Sequence, residues 1–427
     1  MADRVGRGER RFGYRWTVVA LLFVATTINY VDRQILGILA PTLQNELQWS
    51  ETDYGDIVSW FSFAYAFGFL IAGRLLDRIG VKRGLGAAVV AWSIAAMAHA
   101  LARTAGGFAI ARAALGLGES AIFPGSIKTI AEWFPKRERA LAAGIFNAGT
   151  NTGAIVAPLI VPMLALTYGW QWAFIITGAL GFLWLALWIP LYGDPERRAA
   201  VSPAELAHIR SDPPDAMTAS VPWLQLLRYR QTWAFAAGKL LADPVWWFYL
   251  YWLPKFLDAN YGIKLSGLAA PLIAVYLIAD VGSVGGGWLS SALIKRGWTV
   301  NRARKTTMLV MALLIVPTAF APHAGSMWTA VLIVGVAAAA HQAWSANVYT
   351  LASDMFPRSA VGTVVGIGAF AGAMGGVAFQ RAVGRVLDAN GGNYAPIFLV
   401  CGSAYLLALA IIHLIAPRLE PAPIARP

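Results

Sequence analysis

Asp32 and Arg33 stand side by side in an apolar run from Trp16 to Leu39, and two further ions, Arg112 and Glu119, lie inside a second such run. At the centre of a membrane-spanning helix a charge costs about 2.5–3.5 kcal/mol on insertion scales, so ions there mark a functional site by default. Arg112 and Glu119 are seven residues apart, two helical turns, and share a face. Such a set can do two kinds of chemistry. The planar guanidinium of Arg33 offers paired donors to a carboxylate. A buried Asp32 or Glu119 can exchange a proton as a cation approaches or leaves, because the cation favours the ionised form and desolvation the neutral one. The inert alternative has Arg33 reaching to the membrane surface with Asp32 as its counter-ion.

Depth decides which of these groups can meet. With a helix rise of about 1.5 Å per residue, Asp32 lies about 10 Å below the outer end of its run at Leu39. Arg112 lies about 6 Å below the outer end of its own run, near Phe108. The spacing predicts an ion pair between Asp32 and Arg112, with Arg33, about 100° further round the helix, turned toward a ligand. Glu119, about 16 Å deep, meets water only if it faces a polar cavity.

The elements that must hold these groups follow from composition. Of 427 residues, 58% are hydrophobic and 13% charged, against about 25% charged in soluble domains. A soluble enzyme is therefore excluded. A span needs about 20 apolar residues, and twelve runs qualify, at roughly 16–40, 55–76, 84–103, 107–131, 140–166, 171–192, 232–254, 267–293, 306–321, 326–352, 361–386 and 394–416. The first follows a basic tail with no small-residue cleavage site and is expected to remain as a helix. Arg4, Arg7, Arg10, Arg11 and Arg15 crowd that tail, and further Lys and Arg crowd the second, fourth, sixth and eighth connections. Only Arg103, Lys255, Lys264 and Arg385 run against the pattern. The asymmetry predicts that both termini and the central linker are cytoplasmic. It accounts for the formal charge of +12 without nucleic acid.

The single cysteine, Cys401, sits in the last run and allows neither an intrachain disulfide nor a cysteine metal site. No metal-spaced cluster, nucleophile triad or phosphate-binding glycine loop occurs, so no catalytic residue, metal or cofactor is expected, and neither is ATP-driven pumping by this chain.

The sequence echoes itself. Glu132 to Gly144 reads E-W-F-P-K-R-E-R-A-L-A-A-G, and Asp354 to Gly366 reads D-M-F-P-R-S-A-V-G-T-V-V-G, with Pro357 and Pro135 offset by 222. That offset carries six runs onto six. The expected fold is an all-α membrane protein with twelve transmembrane helices in two pseudo-symmetric six-helix bundles, 1–192 and 232–427, joined by a linker over 193–231. In such repeats the substrate site lies between the halves near the membrane midplane, with access alternating as they rock.

Between the second and third runs stands G-R-L-L-D-R-I-G-V-K-R, Gly73 to Arg83, with a degenerate counterpart at Gly287 to Ser290 followed by Lys295. This string and its position resemble the loop signature of the major facilitator superfamily. The resemblance implies that Gly73, Asp77 and Arg78 belong to a cytoplasmic gate and do not touch substrate. The fourth run, R-A-A-L-G-L-G-E-S-A-I-F-P from Arg112 to Pro124, is similar to the anion:cation symporter branch of that superfamily, and Tyr30, Asp32-Arg33, Tyr65, Glu119 and Glu132 to Pro135 fit the same branch. Asp243 to Trp247, Leu253 to Lys255 and His341 to Asn347 resemble the bacterial hexuronate transporters more than the aldonate ones.

The resemblance implies proton coupling through Asp32, Arg112 and Glu119, and a sugar-acid site served by Arg33 and Glu119. Tyr30, Tyr65, Asn147, Asn151, His341, Ser345 and Asn347 supply candidate hydrogen bonds to sugar hydroxyls, and Trp344 a flat ring face. Asn147 with Asn151, and His341 with Ser345, are spaced i,i+4 and present one face each. For any one of them the plain alternative is a helix-to-helix hydrogen bond worth about 0.6 kcal/mol. Lys128 can reach the inner surface and Lys239 and Asp243, also i,i+4, can neutralise one another, the alternative for these residues being to attract anions from the cytoplasmic vestibule.

The reading is a proton-coupled importer of hexuronate anions in a bacterial inner membrane, working as a monomer among lipids, with an aldonate or other organic anion as the alternative cargo. A drug or metabolite antiporter would be expected to carry G-P-x-x-G-G in the fifth run, where Gly153 to Pro158 reads G-A-I-V-A-P. A non-transporting sensor would want an output domain larger than a linker of about forty residues.

Overall fold

Cap residues set many of the helix boundaries. The Ser50 hydroxyl accepts from the Asp53 N–H at 3.0 Å while the Asp53 carboxylate accepts from the Ser50 N–H at 2.9 Å, closing a capping box. Thr104, Ser202, Thr299 and Ser326 cap later helices from one side only, each hydroxyl accepting a first-turn N–H. Gly80 and Gly169 each form a one-residue connection at φ 80° and 96°, a backbone region that residues with a Cβ seldom adopt.

The structure is a computed structural model that describes residues 13–212 and 222–423; Arg4, Arg7, Arg10 and Arg11 lie outside them. Before the linker come α1 (Tyr14–Leu47), α2 (Glu51–Ile79), α3 (Val81–Ala98), α4 (Ala105–Glu119), α5 (Ile122–Trp133), α6 (Lys136–Tyr168) and α7 (Trp170–Leu191). The short α8 (Pro203–Ile209) and α9 (Trp223–Leu226) occupy the linker. After it come α10 (Arg230–Tyr261), α11 (Ala269–Lys295), α12 (Val300–Ile315), α13 (Met327–Met355), α14 (Arg358–Ala389) and α15 (Ala395–Ile415).

Among the described residues, ten helices are long and apolar enough to cross a membrane. The other two spans expected from sequence are α4 with α5, and α10, whose apolar character Lys239, Asp243 and Lys255 dilute. The fourth run departs from the continuous helix expected over 107–131. It breaks at Ser120 and Ala121, immediately after Glu119. Pro124 has no N–H to give to the Ser120 carbonyl, and its ring would crowd that carbonyl in a continuous helix. The Ser120 hydroxyl turns back to the Leu117 carbonyl at 2.7 Å.

The N-terminal helices pack as α1 on α6, α2 on α4, and α3 on both α4 and α7; the C-terminal ones as α11 on α13, α10 on α14 and α15, and α12 on α13 and α15. Across the seam α2 meets α14, α1 meets α10, and α6 meets α11. Close approach needs small residues. At Gly153 a Cβ would come within 2.6 Å of the Thr27 carbonyl on α1. Gly153→Val is expected to prevent assembly of this helix pair, seen as loss of monodisperse protein on detergent extraction; normal yield and elution would contradict it.

Candidate functional site

Arg33 reaches across from α1 to the broken end of α4. Its Nη2 and Nε donate to one Glu119 oxygen at 2.8 and 3.1 Å, and Nη2 also donates to the Asn29 side-chain oxygen at 3.3 Å. Three rings enclose the guanidinium, Tyr30 at 4.7 Å and Phe61 and Tyr65 each at 4.9 Å. Glu119 is wholly buried, and its second oxygen has no hydrogen-bond partner. Truncating one member of such a pair strands the other ion, which costs about 3–5 kcal/mol.

The expected ion pair between Asp32 and Arg112 is not formed. Both side chains are buried, yet Arg112 donates from Nη2 to the Arg33 carbonyl at 3.2 Å, and its Nε and Nη1 have no partner. Both Asp32 carboxylate oxygens also lack a hydrogen bond, with Thr177 near by. Matching depth placed the two groups close without fixing which way each side chain turns. Arg33 likewise faces Glu119 here instead of standing free for a ligand.

The remaining candidates divide. Tyr65 stacks on Phe61 at 5.8 Å and meets Trp247 of α10 edge-on at 6.5 Å, so the aromatic wall crosses the seam. Asn147 is exposed, whereas Asn151 donates to Asp280 of α11, tying α6 to α11. Ser345 is half-buried. His341 stacks on Trp246 at 5.1 Å, and its Nδ1 meets the Tyr405 hydroxyl at 2.6 Å. Trp344 is fully buried against Tyr405 and offers no free ring face, contrary to the expectation. Asn347 donates to the Ala343 carbonyl of its own helix at 2.9 Å and to the Gly286 carbonyl of α11 at 3.2 Å, the latter the helix-to-helix bond that was the alternative for each of these residues.

At the Gly73 to Arg83 string, Lys128 does not reach for the surface alone. It donates to Asp77 at 2.7 Å and to the Leu76 carbonyl at 3.3 Å, tying α5 to the end of α2. Gly73 is open, with no atom within 4 Å of the place a Cβ would take, and Arg78 is exposed.

Both described chain ends and the linker lie at one end of the bundle, as the bonds from Tyr14 to the Leu191 carbonyl and from Gln231 to the Glu420 carbonyl show. The far end is closed. The Asp388 carboxylate accepts from the Glu51 and Thr52 N–H groups at 3.0 and 2.8 Å, capping the positive N-terminus of α2 from the opposite side of the seam. Lys255 pairs with Glu51, Arg381 with Asp56 at 3.0 Å, and Tyr54 donates to the Tyr251 carbonyl at 2.6 Å. Among the described residues, the hydrogen bonds and ion pairs joining the two groups lie at this end or near mid-depth. The conformation is thus latched at the far end.

Sequence reading missed this latch, though Lys255 was visible as a cation on the wrong side of the charge asymmetry. Lys255→Met is expected to open the far end, lengthening the distance between spin labels on Asn45→Cys and Asn390→Cys. An unchanged distance distribution would remove Lys255 from the latch. Cys401 is buried and adds little background.

Compared with known proteins, residues 22–380 match the Major Facilitator Superfamily. The chain is 34% identical over 411 residues to the hexuronate transporter of Escherichia coli K12, covering 94% of this chain and 93% of that one. It is 34% identical over 311 residues to the galacturonate transporter of Dickeya chrysanthemi, covering 71% and 90%, and 27% identical over 427 residues to a probable galactarate/D-glucarate transporter of Bacillus subtilis, covering 96% and 93%. In fold it resembles the crystal structure of a bacterial homolog of the human lysosomal transporter Spinster, inward-facing and occupied, with TM-score 0.71 and 19% identity over 95% of this chain and 96% of that one.

Proposed function

The chain belongs to the major facilitator superfamily, a multi-pass membrane transporter and not an enzyme, and from that premise we propose that it imports hexuronate anions such as galacturonate or glucuronate by proton symport. The observation that carries this reading is the buried Arg33 and Glu119 pair inside its cage of rings. A guanidinium held by one carboxylate is a site where a substrate carboxylate can take that place, provided Glu119 gives up its charge by binding a proton. Exchange of one carboxylate partner for another keeps Arg33 paired throughout, so no bare cation is left in the membrane.

Proton coupling has an energetic reason. An anion entering a cell that is negative inside is opposed by about 2.3 kcal/mol per charge per 100 mV. One accompanying proton cancels that term. Asp32, buried without a hydrogen bond, and Arg112, with two unpaired nitrogens, are the second pair available to carry it. In this reading the 1–192 and 232–427 bundles rock about the seam, both termini face the cytoplasm of a bacterial inner membrane, and the latched far end is the outer one. The protein works as a monomer in lipid. Gly73, Asp77 and Arg78 serve the inner gate, where the Asp77 and Lys128 pair is exposed enough to contribute about 1 kcal/mol or less.

Uptake of radiolabelled galacturonate into proteoliposomes under an imposed inward proton gradient tests the proposal. Accumulation that collapses with a protonophore is expected. Uptake of galactonate with none of galacturonate would transfer the assignment to aldonates, and export of unrelated cations would point to an antiporter.

A further inference from the structure

We propose that Lys239, Asp243 and Tyr349 form the C-terminal side of the substrate site and select sugar acids with one carboxylate against those with two. This rests on the reading of Arg33 as the carboxylate anchor.

Depth and direction place the cluster. Gly37 of α1 lies against the Leu250 carbonyl and the Tyr251 backbone of α10, both helices running away from the end that carries the termini. Tyr30 and Asp243 each lie seven residues before those contacts and are therefore level. Lys239 extends toward that level, donating to Asp243 at 2.8 Å and to the Tyr349 hydroxyl at 3.2 Å. Trp247, four residues beyond Asp243 on the same face of α10, lies 6.4 Å from Phe61 and 6.5 Å from Tyr65, both walls of the Arg33 cage, so the cluster and the cage share the seam. Arg33 stands three residues, about 4.5 Å of helix rise, beyond the level of Tyr30 and Asp243, a gap within the length of a six-carbon sugar acid.

Lys239 is only 5% exposed, and its Nζ also lies 4.5 Å from the Tyr349 ring centroid. An ammonium so held is not a free anion trap. Paired with Asp243 it is electrically neutral and presents one donor and one acceptor, which suits the hydroxyls and ring oxygen at the uncharged end of a uronate. A second carboxylate arriving there would be drawn to Lys239 and repelled by Asp243. Specificity of this kind comes from the repulsive member.

The test is binding of galacturonate and glucarate to the purified full-length protein by calorimetry. Wild type is expected to prefer galacturonate at least tenfold. Asp243→Asn, which unmasks the ammonium, is expected to shift that ratio at least tenfold toward glucarate, and the double variant Lys239→Gln/Asp243→Asn to lose most of the shift. An unmoved ratio in Asp243→Asn, or a shift that survives in the double variant, overturns the inference. Should Asp243→Asn not fold, Lys239→Gln reads the same cluster: weaker galacturonate binding and further loss of glucarate are expected, and wild-type values for both overturn it. Galacturonate binding by wild type together with a ratio unmoved in Asp243→Asn sinks only this inference, whereas wild type binding neither acid sinks the functional reading as well.

Discussion

Replacing Arg33 with glutamine is expected to reduce galacturonate uptake at least about a hundredfold, and with lysine nearly as much. The reason lies in what surrounds the guanidinium. It gives two bonds to Glu119, one to Asn29, and fills a cage of three rings. Glutamine leaves Glu119 buried without its cation, a loss of about 3–5 kcal/mol, so uptake falls through both binding and conformational cycling. Lysine keeps the charge but cannot donate two bonds in one plane, nor stack flat against Tyr30. The informative comparison is Glu119→Gln. It leaves Arg33 with a neutral partner, mimicking the protonated state, and is expected to retain substrate binding while losing proton-linked turnover. Purified protein that binds galacturonate as tightly with Arg33→Gln as without it would remove Arg33 from the site. Unchanged transport and proton coupling in Glu119→Gln would remove Glu119.

Asp32→Asn is expected to abolish accumulation driven by a proton gradient while sparing part of the exchange of internal for external substrate. Asparagine has nearly the same shape as aspartate but no proton to release. Because both Asp32 oxygens lack hydrogen bonds in this conformation, the substitution breaks no bond and should leave the fold intact. The carboxylate is charged comfortably only when a partner turns to it, and Arg112, whose Nε and Nη1 are free, is that partner in another conformation. The measurement is counterflow against gradient-driven uptake in the same proteoliposomes. Full gradient-driven accumulation in Asp32→Asn would end its part in coupling, and equal loss of exchange would assign it to substrate binding or folding instead.

The repeat and the run lengths made the fold legible, because apolar length and cap residues are local properties. Ser202 before Pro203 is such a local signal, a cap residue followed by a proline that tolerates the first helical position, and α8 starts there with the Ser202 hydroxyl accepting from the Glu205 N–H. The break after Glu119 was less legible: Pro124 was in view, but prolines are tolerated inside membrane helices, and whether one breaks the helix depends on what satisfies the freed carbonyls.

By itself the sequence determined a polytopic helical membrane protein, the ions that cannot be there by accident, and their approximate depths. Periodicity and rise fix how far along the membrane a side chain sits. They do not fix the direction of its last two or three rotatable bonds. The tertiary structure decided that Arg33 closes on Glu119, that Arg112 turns to the Arg33 backbone, and that Trp344 is core. It also decided that Asp388 on α14 caps α2 across the seam, a contact between residues 336 positions apart. A helix end is a donor set that any nearby carboxylate can satisfy, and only packing of the two groups says which carboxylate arrives.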